Sequence, residues 1–442
     1  MNNLIKLGKK LFPILRSLTG KGNYKSLKIL KSEFSALRIK SFKSNTKVFD
    51  WNIPSEWNVN KALVKDKFNK KIIDFKKNNL HLVSYSQKKN KKIIKKELIE
   101  NLYSNSKLKN AIPYVTSYYK KRWGFSISAT QLDRIKKDYN QNDNFKVIID
   151  SKFKKRGKMH YGEIFIPGEE KNEILISTNI CHPSMANNEL SGPLVAIKLA
   201  KYFSNRKNKR SLRIILIPET VGAIAYIKNN FNHLKKNTIG GYVITCIGDE
   251  RSHSFLSSKY NNSLSDLAAK DAYKKLKLNY KRYTFLERGS DERQFNSPGI
   301  NLGMSSIMRS KYNKFKEYHT SLDDFSVLTS KGLNGGYTVV KESIKNLMSI
   351  NLKKKEREIS EKNPLSFIIC EPKLSKRGLY TSLSNTSFGN KNEFSIIRKN
   401  ILNFIQYSDG SNSLGEISKY INLSLVKTKK LHKICKKYKF IN

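Results

Sequence analysis

Cysteine is scarce. Four of the 442 residues are Cys (Cys181, Cys246, Cys370 and Cys435), and they lie far apart. Such spacing excludes a disulfide framework and a Cys-x-x-Cys motif, and it fits a reducing cytoplasm. Long apolar runs are missing too. No stretch approaches the roughly 20 residues of a membrane span, so no membrane span is expected. The N-terminal segment mixes basic and apolar residues like a signal peptide, but Lys9, Lys10, Pro13 and Arg16 break its apolar stretch and no small-residue cleavage site follows. A helix packed on the body of the protein is the expectation. Acidic residues are outnumbered, with 35 Asp and Glu against 86 Lys and Arg, a formal net charge of +51. The basic runs (67–77, 88–96, 206–210, 353–355) spread from end to end. A dedicated nucleic-acid face would be clustered, so the charge reads as a solvated, lysine-rich surface with weak, nonspecific binding of nucleic acids.

What is present argues for an ordered chain of two or three domains. Aromatic residues make up 11% of it, too many for wholesale disorder. Residues 1–45 have helical spacing at Leu4, Leu7, Leu11, Leu15 and Leu18, with a stop at Gly20 and Gly22. Residues 46–139 carry short β-forming segments (71–75, 81–85) and aromatic clusters at 49–57 and 112–125, which read as the core of a small β-rich module. From about residue 145 strands and helices alternate. Segments 147–150 and 162–166 suggest a hairpin; 173–178, 212–217 and 241–246 read as buried strands; 191–203, 221–229 and 264–276 read as helices. This alternation predicts a largely parallel sheet with helices on both faces, whose sites form at the carboxyl ends of strands. After residue 360 three short helices suggest a winged-helix unit. Its last helix is lysine-rich and could lie in a major groove.

Reactive side chains follow the predicted strands in order. The first strand runs into Cys181-His-Pro-Ser-Met-Ala-Asn-Asn-Glu-Leu-Ser-Gly192, the second into Pro218-Glu-Thr-Val-Gly222, and the third into Cys246 and Asp249. Arg288-Gly-Ser-Asp-Glu-Arg293 and Glu317-Tyr-His-Thr-Ser-Leu-Asp-Asp324 come later. A lone His or Glu at a strand end is usually structural. The ordered series is not, because a parallel sheet gathers such ends together.

That order resembles the zinc aminopeptidases of the M28 type. More closely, the chain is similar to the aminopeptidase-like DUF4910 family, on Phe49-Asp-Trp51, Ile112-Pro-Tyr114, the 181–192 motif, Pro218-Glu-Thr220, Gly289-Ser-Asp-Glu-Arg293, Tyr318-His-Thr-Ser-Leu-Asp-Asp324 and Cys370-Glu-Pro-Lys-Leu-Ser-Lys-Arg-Gly-Leu-Tyr380. The resemblance implies a three-layer α/β/α zinc-peptidase-like core (1–45 and 140–358), an inserted β-rich domain (46–139, the DUF2172 region) and a C-terminal winged helix (359–442). It also implies an amide or small-peptide substrate, with a link to surface-polysaccharide biosynthesis.

Carried over residue by residue, the resemblance makes Glu219 the general base and His182 and His319 metal ligands. Asn188 stands where the family has a bridging Asp, and a neutral amide cannot balance two dications; Glu189, one residue on, has the reach to substitute. Thr220 stands where a second Glu would bind metal, and the strand-end Asp ligand falls on Cys246, with Asp249 close by. One zinc is therefore expected rather than two, held by His182, Glu189 and His319, with Cys246 or Asp249 as alternative ligands. Asp323 and Asp291 would orient the histidines, and Arg293, Arg309 and Lys311 would bind an anionic part of the substrate. The rival reading is a degenerate peptidase fold serving as a binding or regulatory module.

Overall fold

In the computed structural model the described residues are 1–352, 359–379 and 393–442, with the side chains of 393–395 left aside. The basic run 353–355, the core boundary expected at 358, and Tyr380 of the last family motif lie outside them.

Eight strands form the central sheet: β1 (Arg38–Lys43), β2 (Lys158–Ile166), β3 (Glu170–Asn179), β4 (Arg210–Ile217), β5 (Thr238–Ile244), β6 (Ser254–Leu256), β7 (Lys281–Tyr283) and β8 (Met304–Met308). Their order across the sheet is β1-β2-β4-β3-β5-β8-β6-β7. The middle four, β4, β3, β5 and β8, are mutually parallel. β1, β2 and β6 pair antiparallel toward the edges. The sheet is thus mixed, with the expected parallel order at its centre and again between β6 and β7 at one edge. The reason lies in the connections: β3, β4 and β5 are joined through helices, whereas β2 follows the strand Asn144–Lys154 after a short turn.

The central strands are buried on both faces, and alternate residues serve different layers. Ile174, Ile176, Ile214, Leu216, Tyr242 and Ile244 pack on one side with helices α1 (Asn2–Leu11), α2 (Lys21–Glu33), α3 (Ser191–Ser204), α5 (Leu264–Lys275) and α6 (Ser330–Ser349). Leu175, Ile215, Ile217 and Val243 face helix α4 (Val221–Asn237) and the apolar residues of the inserted segment.

The N-terminal helix does pack on the core, but residues 1–45 are not one helical stretch. They form α1, α2 and edge strand β1. Gly20 begins α2 rather than ending a tail. Its φ of +104° and the 2.3 Å between a built Cβ and the Trp57 carbonyl leave room for no side chain.

A second, antiparallel sheet runs in the order Lys71–Asp74, Glu56–Lys65, Asn144–Lys154, Lys89–Ile94. The hairpin expected between 147–150 and 162–166 does not form. Asn144–Lys154 pairs with Glu56–Lys65 instead, Ala62 opposite Ile149, because Phe145, Val147 and Ile149 share an apolar layer with Val64, Ile73 and Ile93. Residues 81–85 are not a strand either. Asn78 caps a 3₁₀ turn at Asn79–His81 by accepting the Leu80 N–H. The C-terminal unit has helices α7 (Glu393–Tyr407), α8 (Leu414–Tyr420) and α9 (Leu425–Lys437), with single β-bridges at Leu365–Asp409 and Ser366–Ile441. On α9, Thr428, Leu431 and Cys435 face inward while its lysines face solvent.

Candidate metal and hydrolytic site

The carboxyl ends of β3, β4 and β5 lie along one edge of the sheet, as parallel pairing requires. The chain leaves β3 through Cys181 and His182 and re-enters a helix through a π-type turn, Ala186–Leu190, continuous with α3. Gly192 of the Ser-Gly pair lets that helix start against the strands: a built Cβ there lies 2.0 Å from Thr178 Oγ1 and 2.6 Å from the Ile244 carbonyl.

His182 is buried and held on its inner side. Its Nδ1 lies 2.6 Å from Glu189 Oε2, and its backbone N–H donates to Glu189 Oε1 at 2.8 Å. The Cys181 N–H donates to the same oxygen. Behind them Arg16, fully buried, donates from Nε to the His182 carbonyl at 3.0 Å and from Nη1 to the Leu11 carbonyl at 2.6 Å. Burial lowers the pKa of Arg16 to about 10, with Glu189 pulling it back up. Burial likewise opposes charge on His182, while Cys181 and the Glu189 carboxylate raise its pKa well above the ordinary range. The Cys181 thiol is itself pushed up to about 11 by burial, so the carboxylate is the charge that matters.

The other face of His182 looks into a cleft of about 660 Å³. Its Nε2 lies 3.7 Å from Glu219 Oε2. The second oxygen of Glu219 accepts from Ser290 Oγ at 2.9 Å and Asn179 Nδ2 at 3.2 Å. Glu219 therefore does not cap α4 with its side chain. The His319 ring centroid is 5.3 Å from that of His182. His319 has φ +56°, an uncommon backbone for a non-glycine residue, and burial beside His182 pushes its pKa well below the ordinary range. Tyr318 stacks on it at 3.9 Å. Ile112-Pro-Tyr114 of the inserted segment holds the same loop: the Tyr114 N–H donates to the His319 carbonyl at 2.8 Å and the Ser321 N–H to the Ile112 carbonyl at 2.9 Å. The Tyr114 ring sets its edge against both histidines.

Other expected site residues have different neighbours. Glu189 is turned toward His182 Nδ1 and the 181–182 amides, so it positions that histidine rather than sharing the Nε2 side. Asp323 serves the backbone of the turn after His182. Its two oxygens accept the Asn187 and Asn188 N–H groups at 2.7 and 2.8 Å, closing the π-type turn. Asp291 accepts the Thr220 N–H at 2.7 Å, and burial with the Glu219 charge raises its pKa well above the usual carboxylate range. Asp249 binds Ser310 and the Arg251 N–H. Cys246 is wholly buried in an apolar cluster with Leu256, Phe285 and Met308, and burial raises its thiol pKa strongly. Neither Asp249 nor Cys246 lines the cleft. Asn188 is buried, its N–H on Asp323 and its carbonyl accepting from Thr245 Oγ1. Arg293 lines the cleft, reaching Thr220 Oγ1 at 2.5 Å and Glu371 at 3.6 Å. Arg309 lies against His253, and Lys311 over the rings of Tyr283 and Tyr312; neither lines the cleft.

Two groups of donors could hold a metal. Cys181, His182 and Glu189 bring their ligand atoms within 4.8 Å of one another. A cation placed among them would lie near the buried Arg16 charge and would have to displace the amide and imidazole bonds that Glu189 already makes. On the cleft side His182 Nε2 lies 3.7 Å from Glu219 Oε2 and the His319 ring 5.3 Å from that of His182, but among the described residues it is Cys181, His182 and Glu189 that bring three ligand atoms within 4.8 Å. At His182 a carboxylate on Nδ1 fixes the tautomer that leaves Nε2 as a ligand. Zinc suits a set of imidazole and carboxylate donors.

Three distant stretches of the chain wall the cleft. Trp51, Tyr114, Tyr118, Tyr119 and Lys120 come from the inserted segment, and Glu371, Lys373, Arg398, Lys399, Leu402 and Asn403 from the C-terminal part. The aromatic residues expected only to fill a core are thus divided, with Trp57 and Phe125 buried and Trp51, Tyr118 and Tyr119 on the cleft. The 370–377 strap is tied at several points. The Glu371 N–H donates to Gln294 Oε1 and the Trp51 indole N–H to the Glu371 carbonyl; Asp50 accepts from the Lys373 N–H and from Arg377.

Residues 5–350 match the family described as Domain of unknown function (DUF4910). The chain belongs to the DUF4910 family. Residues 363–442 match a winged helix-turn-helix family. The DUF4910 chain is 39% identical over 416 residues, 94% of its length and 90% of the other's, to a Clostridium acetobutylicum protein named "Putative polysaccharide biosynthesis protein with aminopeptidase-like domain". A Clostridium acetobutylicum crystal structure, 35% identical, superposes with a TM-score of 0.75 over 100% of this chain and 96% of that one. The Bacillus subtilis zinc aminopeptidase shares the fold at 12% identity, TM-score 0.58, over 80% of this chain and 96% of its own.

Proposed function

We propose that this DUF4910 protein is a zinc-dependent, aminopeptidase-like hydrolase of an amide bond that works with one ion. His182 Nε2 and His319 would hold the zinc, with Glu219 beside them. Zinc, when bound, acidifies the attacking water and polarises the amide carbonyl. The observation that carries the reading is the placement of Glu219: one oxygen 3.7 Å from His182 Nε2, the other held by Ser290 and Asn179. A carboxylate fixed at one oxygen and open to the cleft at the other is built to accept a proton. Glu219 takes the proton of the water whose oxygen attacks the amide carbon, then delivers it to the nitrogen as the C–N bond breaks. Glu189 and Arg16 hold His182 from behind; Tyr318 and the 112–114 segment hold His319. The name of the Clostridium relative supports a place in polysaccharide biosynthesis, with a peptide or amide-bearing substrate.

Glu219→Gln tests the reading. Turnover of aminoacyl amides should fall by ~10²–10⁴-fold, with folding and zinc content intact. Full activity in the variant would overturn the role. Asn188 and Thr220, in positions where the resemblance leads one to expect carboxylates, favour the second reading, a binding module. A zinc-loaded wild type inert on every aminoacyl and acyl amide would establish that reading instead.

A further inference from the structure

The proposed chemistry occupies one end of the cleft. The other end has a character of its own. Its charged lining is Lys120, Arg288, Arg293, Lys373, Arg398 and Lys399 against two carboxylates, Glu219 and Glu371. Glu219 is the proposed base. Glu371 is already matched, with Arg288 at 3.4 Å and Arg293 at 3.6 Å. That leaves a surplus of positive charge at Lys373 and Lys399, which among the described residues have no carboxylate at ion-pair distance.

Lys373 is the most specific part of that surplus. It is half-buried, unlike most lysines of this chain. Its backbone is fixed by the bond from its N–H to Asp50. Its ammonium lies 3.3 Å from the Tyr119 ring centroid and 5.8 Å from that of Trp51. Among the described residues, no carboxylate lies within ion-pair distance of its Nζ, because Asp50 is taken by Lys376 and Arg377. Burial and the neighbouring Lys376 lower its pKa to about 8, against an upward pull from Asp50. A cation held against aromatic faces, partly stripped of water and with no carboxylate among the described residues at ion-pair distance, costs energy that a ligand anion would offset. The solvated-surface account of the other lysines does not cover it.

We propose that the cleft selects amide substrates whose far half carries a negative group, a carboxylate or a phosphate, and that Lys373 binds that group beside the Trp51–Tyr119 wall. The inference rests on the amide-hydrolase reading for the word substrate, but the binding stands or falls separately. Lys373 acts through charge on a part of the ligand remote from the reacting bond, so it is a specificity residue.

The test uses the full zinc-loaded chain and three dipeptide probes: leucyl-glutamate, leucyl-phosphoserine and the neutral leucyl-glutamine. Binding is read on Glu219→Gln protein, where turnover does not interfere, and hydrolysis on wild type. Both readouts should favour the acidic probes by about tenfold or more, the size of one partly desolvated charge pair. Lys373→Met should bring the three probes together, while Lys373→Arg keeps the preference and so separates charge from folding. The tighter acidic probe tells carboxylate from phosphate. Acidic probes bound tighter but never cleaved would uphold the anion site and sink the hydrolase reading. Equal binding of acidic and neutral probes, or binding of none, would overturn the anion site, and cleavage of leucyl-glutamine at an equal rate would leave the hydrolase reading standing.

Discussion

At the residue scale, one added methylene changes what a carboxylate does. Glu189 follows the position where the resembled enzymes bridge two ions, yet it reaches back to His182 Nδ1 and two amides. Its removal should weaken zinc without abolishing it: Glu189→Gln is expected to lower zinc affinity ~10–100-fold, the usual cost of losing a group that orients a ligand. Cys181→Ala should leave affinity unchanged, since its sulfur lies against His182 Nδ1 rather than the proposed ligand atom Nε2. Competition with a chelating dye measures both, and a Cys181→Ala protein without zinc would move the ion inward. Lys373 gives a pH test. It is charged below about 8 and neutral above, so the preference for leucyl-glutamate over leucyl-glutamine should fade as pH rises from 7 to 9. A preference constant across that range would exclude Lys373 as its source. That His182, Glu219 and His319 would meet was expected from the family resemblance and its motifs, and the three do line one cleft; their roles there are the proposal. Arg16 was not legible in the sequence: it meets His182 across 166 residues, and nothing near it in the chain signals that contact. Tyr114 was visible only as part of a family motif.

At the element scale, the alternation of apolar segments revealed β3, β4, β5 and helices α3 and α5, because strands buried on both faces leave an unbroken apolar run. It failed where partners are remote. Asn144–Lys154 has the same alternation as a core strand, and only its neighbours assign it to the small sheet. The antiparallel edges of the central sheet were hidden for the same reason. Gly192 shows what a short motif encodes: the Ser-Gly pair is a packing requirement of α3 on β3 and β5. Gly192→Ala should destabilise the fold by about 1–3 kcal/mol, the range for forcing a methyl into a filled space. A urea melt reads this, and an unchanged midpoint would mean that the helix shifts freely.

At the scale of the whole molecule, the C-terminal unit is part of the cleft. Its strap bonds to Gln294, Trp51 and Asp50, and α7 contributes Leu402 and Asn403 to the wall. The sequence showed three helices and basic charge, hence the expectation of weak DNA contact; the docking depends on long-range bonds that no local pattern carries. The net charge of +51 is spread over the surface, while the cation that distinguishes the cleft is half-buried. The central claim is that His182 and His319 hold one zinc. Metal content per chain, measured by inductively coupled plasma mass spectrometry on wild type, His182→Ala and His319→Ala, tests it most directly. The account predicts one zinc per chain in wild type and none in either variant of intact fold; zinc retained in both variants, or none in wild type dialysed against zinc, would contradict it.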